Sequence, residues 1–251
     1  MNALSVLTVA TLWQREIVRF FRQSSRVMGA LGTPLIFWFF VGSGIGYSHF
    51  FFPGALLLMI LFTSIFSTIS VIEDRREGFL QSALISPAPR WGLVLGKVLG
   101  GATVAMLQGF LFLALTPWAG IRLSALSFLA AGAGMFAIAF SLTSLGFWIA
   151  WKFRSVQGFH AVINLFLFPL WILSGAVFPA EKSASWIHTV MTANPLAYGM
   201  AVLRLALMPR EAAASGLFSA GPSWVMTLAF GAFFFVLASR AALKRSDRDY
   251  L

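Results

Sequence analysis

Apolar residues in this chain gather into long runs instead of alternating with polar ones. Six runs stand out, at about 27–47, 50–72, 98–117, 124–151, 156–178 and 223–242. Each is near the roughly 20 residues an α-helix needs to cross about 30 Å of hydrocarbon. No Asp, Glu, Lys or Arg lies near the centre of any run; one there would cost roughly 2.5–3.5 kcal/mol on insertion. The first two runs almost touch, which predicts a tight hairpin around Ser48-His49, and the fourth is long enough to tilt or protrude. The expectation is an all-α membrane protein with six transmembrane helices, folded as a single domain over residues 1–251. Within it, 1–26 is an interfacial helix, 27–242 holds the spans and 243–251 is a tail.

Between the runs the pattern changes. Trp13, Ile17, Phe20 and Phe21 fall at helical spacing, and Arg15, Arg19, Arg22 and Arg26 form a stripe on the other side. That predicts an N-terminal amphipathic helix in the headgroup layer, its arginines toward anionic lipid or a partner. In the segment EDRREGFLQSALISPAPR, residues 73–90, Glu73, Asp74 and Glu77 suit the N-terminal turn of a short helix. Leu80 and Leu84, four apart, share a face beside Phe79 and Ala83, and Pro87 and Pro89 stop the helix. Such a helix suits docking in a groove of a soluble partner; a solvated loop touching headgroups is the plainer alternative. Residues 179–222 contain two short apolar stretches interrupted by Asn194-Pro195, a capping residue with proline at the first helical position. This predicts either a re-entrant helical hairpin between spans five and six or a pair of interfacial helices.

Composition narrows the class further. The chain is 59% hydrophobic and 10% charged, with 27 Phe and 9 Trp, whereas a soluble domain is about a quarter charged. The net charge of +10 reads as membrane topology rather than as nucleic-acid binding. With both termini in the cytoplasm, fourteen Lys and Arg residues lie inside. Only Arg122, Lys182, Arg204 and Arg210 lie outside, as the positive-inside rule requires. The 73–90 segment then faces the cytoplasm. Cysteine is absent, so disulfides and thiolate metal sites are excluded. The stretch Leu4 to Leu12 has no basic residue before it and runs into Gln14-Arg15-Glu16, a pattern that does not predict a signal peptide.

Candidate chemistry is sparse. The GKVLGG at 96–101 lacks the spacing and the Ser/Thr of a phosphate-binding loop, so the chain holds no ATP site of that kind. The three histidines, His49, His160 and His188, lie far apart and predict no metal site. Gly96, Gly100, Gly101 and the small residues at 130–134 point to close helix packing. With Gln108 and Asn164 the only strongly polar side chains well inside the spans, ion-coupled transport lacks its usual intramembrane acid. Energy for uphill transport would come from a partner.

The sequence EDRREGFLQSALISPAPRWGLVLGKVLGG, 73–101, resembles the cytoplasmic signature of the type-2 ATP-binding-cassette (ABC) exporter permeases: Arg-Glu-Gly, a leucine-bearing helix, Pro and a basic residue, then Gly-Lys opening a span. LSGAVFPAEKSASWIHTVMTANPLAYGMAVLR, 173–204, resembles the family's second signature, with Ser-Gly before Phe-Pro, then Asn-Pro-Leu-x-Tyr and a closing Arg. The resemblance covers the whole chain. It implies a bacterial inner-membrane half-transporter that pairs with a second copy or a homologous permease and engages two copies of a separate ABC ATPase subunit. ATP and Mg would sit on that partner, leaving no cofactor, metal or catalytic residue here. Residues 73–90 would form the coupling helix, with Arg76, Glu77, Phe79, Leu80, Leu84 and Pro87 at the matching positions and Glu16 and Arg19 as a second contact. The cargo path would follow spans one, two and five past Phe37, Trp38, Phe66, Asn164 and Phe168. An amphiphilic cargo (drug, lipid or lipid-linked glycan) suits such a path; copper- or haem-related export is a further option. Two readings from other classes stand beside this one: a membrane enzyme, for which only Glu73, Asp74 and Glu77 offer acids, and a membrane scaffold without transport.

Overall fold

The computed structural model describes residues 3–42, 44, 46, 48–85, 87, 89–177, 183–215 and 218–243; for 24–26, 84 and 213–215 it describes the backbone alone. The expected tail at 243–251, the Phe-Pro at 178–179, Lys182 and the side chains of Arg26 and Leu84 lie outside this description, Leu243 excepted. The helices in chain order are α1 (Ala3–Arg22), α2 (Ser24–Phe37), α3 (Ser48–Ser67), α4 (Ile69–Arg76), α5 (Phe79–Ile85) and α6 (Arg90–Leu113). They continue with α7 (Ala125–Ala150), α8 (Val156–Trp171), α9 (Ser185–Ala193), α10 (Pro195–Leu207), α11 (Pro209–Ser215) and α12 (Ala220–Leu243). Among the described residues there is no strand. Wide π-helical turns extend α2 over Trp38–Gly42 and α8 over Ile172–Ala176.

Among the described residues, five helical segments are long and apolar enough to cross a bilayer: Ser48–Arg76, Arg90–Leu113, Ala125–Ala150, Val156–Ala176 and Ala220–Leu243. Two bent pairs bring the number to as many as seven: Ala3–Arg22 with Val27–Gly42, bent by 69°, and Ser185–Ala193 with Pro195–Leu207, bent by 88°. The first predicted span, 27–47, thus reaches spanning length only together with α1. The break between α3 and α4 falls at Ser67 and Thr68, whose hydroxyls donate to the carbonyls of Ser64 and Ile65, a local bonding pattern that bends helices.

The core forms where α3, α6, α7 and α10 meet. α3 is enclosed on nearly every side, with Phe52, Leu56, Met59 and Ile60 fully buried. α12 instead turns Val225, Leu228, Phe233 and Val236 outward, as a helix facing lipid does. α2, α3, α6, α7, α8 and α12 run alternately between two ends. At the charged end, Arg75 donates to the carbonyls of Trp151 and Phe153, and Arg90 to those of Ala242 and Leu243. The segment from α4 to α6 is thereby joined to the last turns of α7 and α12. At the hairpin end, α9 and α10 meet the start of α3 and the end of α8.

Candidate functional site

The charged end is organised by α6 and its glycines. Gly92, Gly96 and Gly100 fall one turn apart on one face, and α1 lies along them in the same direction. A Cβ on Gly96 would lie 2.9 Å from Val9 O and from Leu12 Cβ, and one on Gly100 would lie 2.6 Å from Glu16 Cβ. This is the close approach that small residues permit. It also sets which face of α1 is buried: Ser5, Leu12, Glu16 and Phe20 point inward. The amphipathic face expected from sequence is therefore rotated. Phe20 is inside, but Trp13 and Phe21 are exposed, with Trp13 Nε1 donating to Thr103 Oγ1 at 2.9 Å.

Burying Glu16 requires a counter-charge, and Lys97 supplies it. The Lys97 ammonium lies 2.6 Å from Glu16 Oε1, 2.5 Å from Asp74 Oδ2 and 3.2 Å from Ser70 Oγ. Asp74, itself fully buried, accepts both ends of the Arg15 fork at 3.0 and 2.7 Å and a further bond from Arg19 at 2.5 Å. Arg19 also pairs with Glu73 at 3.0 Å and with Glu77 at 3.4 Å. Two of the arginines expected to face lipid or a partner, Arg15 and Arg19, thus face α4 instead, while Arg22 is exposed. Such a cluster is stable only because nearly every lone pair and N–H in it meets a partner; removal of one member would strand the others.

Glu73 and Asp74 do not open a short helix, as the sequence pattern suggested. They sit in the last turn of α4, where the helix dipole opposes acidic groups, and the three cations outweigh that penalty. The chain then breaks at Gly78, whose φ of +77° is open to glycine at no steric cost, and α5 starts at Phe79.

The structure divides the predicted coupling residues into two sets. Leu80 is 2% exposed and belongs to the core of this chain, so it cannot be an outward knob. Phe79 is half-buried beneath the Arg15 guanidinium, 3.8 Å from its ring centre. Glu16 is buried, and Arg19 is held within the ionic cluster. Arg76, Glu77 and Pro87 are exposed. The sequence reading missed Ile85, 84% exposed on the same face of α5 as Gln81 and Ser82. It also missed Lys97 and Asp74 as the hub. The pairing of Glu16 with a lysine on an apolar helix could have pointed there, since neither charge tolerates burial alone.

The predicted path residues are partly brought together. Phe37 meets Phe168 and Trp171 edge-on, at 6.2 and 6.0 Å between ring centres. Phe66 stacks on Phe62 and meets His160 of α8. Asn164 is exposed on α8, between the levels of His160 and Phe168. Trp38 points elsewhere, packing on Phe52 and Phe112 and donating to Ser48 O. Gln108 is buried and bonded to Thr63 of α3. Among the described residues no group of three or more His, Asp or Glu comes together to hold a metal.

Comparison with known proteins gives a family for most of the chain. The family described as "ABC-2 type transporter" matches residues 8–208. The chain is 27% identical over 151 residues to "Probable multidrug ABC transporter permease YbhR" of Escherichia coli (strain K12), covering 60% of this chain and 41% of that protein. It is 26% identical over 160 residues to "Putative transport permease ycf38" of Cyanophora paradoxa, covering 63% and 55%. It is 24% identical to "Nodulation protein J" of Neorhizobium galegae, covering 81% and 82%. The match thus spans less than half the length of the Escherichia coli protein.

Proposed function

Because the chain belongs to the ABC-2 type transporter family, we propose that it is the membrane-spanning permease subunit of an ATP-driven exporter. A separate ABC ATPase subunit would dock on the charged end and supply the energy. One observation carries this reading: α5 offers Ile85 to solvent while the helices around it are tied together by buried ion pairs. An exposed apolar side chain on a surface helix suits a socket in a partner. The ionic cluster behind it joins α4 to α1 and α6, so force on α5 passes into the bundle rather than into a loose loop.

The rest of the proposal follows the helix directions. α2 with its π-helical turn counts as the first of six spans, both termini lie in the cytoplasm, and the hairpin end faces outward; the alternation of the helices and the arginine bias support this. Two copies pair across α2 and α8, whose Ile36, Phe39, Phe40, Leu165 and Phe166 are exposed on a single chain. The cargo is an amphiphile, consistent with an aromatic path that carries no charge, and a relative named for multidrug transport supports the drug and lipid side of that class. The enzyme reading loses ground because Asp74 lies buried under Arg15, Arg19 and Lys97 and is unsuited to acid–base work on a substrate.

The test is purification of the chain from its native membranes in a gentle detergent, as wild type and as Ile85→Asp, with Leu84→Asp as a second variant. The expected result is a stoichiometric soluble ATPase with the wild type and its loss with Ile85→Asp, while membrane insertion is unchanged. Absence of any ATPase from the wild-type sample, under conditions that hold known transporter complexes together, would return the enzyme and scaffold readings to the front.

A further inference from the structure

A cleft of about 270 Å³ opens at the charged end, where the start of α1 passes α5 and the start of α6. Leu4, Leu7 and Leu12 form one wall, Ala83 and Pro87 a second and Leu93 the third. An apolar cavity of about 150 Å³ already holds a molecule the size of benzene. Thr8 and Thr11 also reach the cleft, but their hydroxyls donate to Leu4 O and Leu7 O at 2.8 Å. The lining is thus apolar in effect. Leu4 and Leu7 remain exposed, so the cleft continues into the apolar surface of α1. It takes no residue from α2, α3 or α8 and lies apart from the aromatic path of Phe37, Phe66 and Phe168.

One charge borders the cleft. Arg90 lines it and is half-buried. Its Nη1 donates to Ala242 O at 3.2 Å and to Leu243 O at 2.8 Å, which are neutral acceptors. Among the described residues the acids of this end, Glu16, Glu73, Asp74 and Glu77, pair with Arg15, Arg19 and Lys97, and none pairs with Arg90. A half-buried cation beside an apolar cleft calls for an anion that carries an apolar body.

We infer that the cleft binds one acyl chain of an anionic phospholipid, with the phosphate on Arg90. The chemistry of the walls favours an acyl chain over a peptide. They are almost wholly helical, with backbone groups bonded within each helix, so an inserted peptide would bury its own N–H and C=O groups without partners. An acyl chain has none to satisfy. Basic sites between helices at the cytoplasmic surface take anionic headgroups in the same way. A bound lipid would brace α5 against α1. Its effect on coupling, and the leaflet it comes from, rest on the permease reading above; the site itself does not.

The test places the full chain, without an ATPase, in phosphatidylcholine nanodiscs with a trace of phosphatidylglycerol bearing a photoreactive diazirine in its acyl chain. Adducts are mapped by mass spectrometry. Labelling of Leu4, Leu7 and Leu93 is expected to exceed that of Leu228, exposed on α12, and unlabelled phosphatidylglycerol should displace it where added phosphatidylcholine does not. Arg90→Gln should lower it about tenfold, the lower end of what a hydrogen bond to a charged group is worth. Leu7→Trp, which fills the mouth from an exposed position, should lower it at an unchanged melting temperature, so the result stands even if Arg90→Gln folds poorly. Labelling no higher than at Leu228, or displaced equally by both lipids, overturns the site, since it means surrounding bilayer lipid only. Strong labelling unchanged by Leu7→Trp overturns it too. If the chain purified with an ATPase loses the labelling while Leu228 keeps its own, the ATPase fills the cleft and the lipid assignment falls. A failed ATPase purification would sink the permease reading and leave the nanodisc result untouched.

Discussion

At the charged end, α1, α4 and α6 meet through Glu16, Asp74, Lys97, Arg15 and Arg19, with opposite charges paired across three helices and Glu16, Asp74 and Lys97 buried. At the hairpin end, α8 meets α9 and α10 through two side-chain donors that end on the carbonyls of Leu170 and Gly175. The two ends differ in what separation would leave behind. Parting α1 from α6 strands buried charges, whereas the contact of α8 with the hairpin runs through bonds from Asn194 and Arg204 to backbone carbonyls. The first arrangement suits a block that moves as one piece, and the second suits a joint.

Lys97→Met should show the largest effect. Removing one partner of a buried ion pair costs roughly 3–5 kcal/mol, so the variant should lose most of its folded yield or melt well below wild type in detergent. A melting temperature near wild type would mean that the charged end is not a rigid block. Arg204→Gln should cost less, about 1.5–3 kcal/mol for a bond from a charged donor, with the change confined to the hairpin end. Hydrogen exchange that rises in α9, α10 and the outer turn of α8, but not in α1 or α4, would sharpen the contrast; a spread through α1 would erase it. Ile85→Asp should be the mildest for folding, within about 0.5 kcal/mol for an exposed site, although it is the variant expected to abolish ATPase binding. Strong destabilisation there would mean that Ile85 serves the fold and not a partner.

How much of this was legible in the sequence varied with the range of the interaction. The apolar runs marked α3, α6, α7, α8 and α12, and Asn194-Pro195 marked the start of α10, because hydrophobic length and capping are local properties. The site was read less well. Leu80 looked like an outward knob because spacing shows which residues share a face and not which way that face points. It turns inward, and Ile85 takes the exposed position. Glu73 and Asp74 looked like the start of a helix, because acids suit that place in an isolated segment. They end one instead, held by cations from α1 and α6.

The sequence by itself determined that this is a helical membrane protein, where its long helices run, and the family to which its two signatures belong. Burial of apolar side chains and local backbone preference act on neighbours along the chain, and they leave a periodic trace. Only the tertiary structure decided that Glu16 is buried against Lys97, that Asp74 gathers Arg15, Arg19 and Lys97, and that Asn194 and Arg204 reach the bend of α8. Those contacts join residues 23 to 81 positions apart at the hub and 24 to 29 apart at the bend. A charge finds such a partner only once α1 has settled on the glycines of α6, or the hairpin on α8, and brought the two within bonding distance.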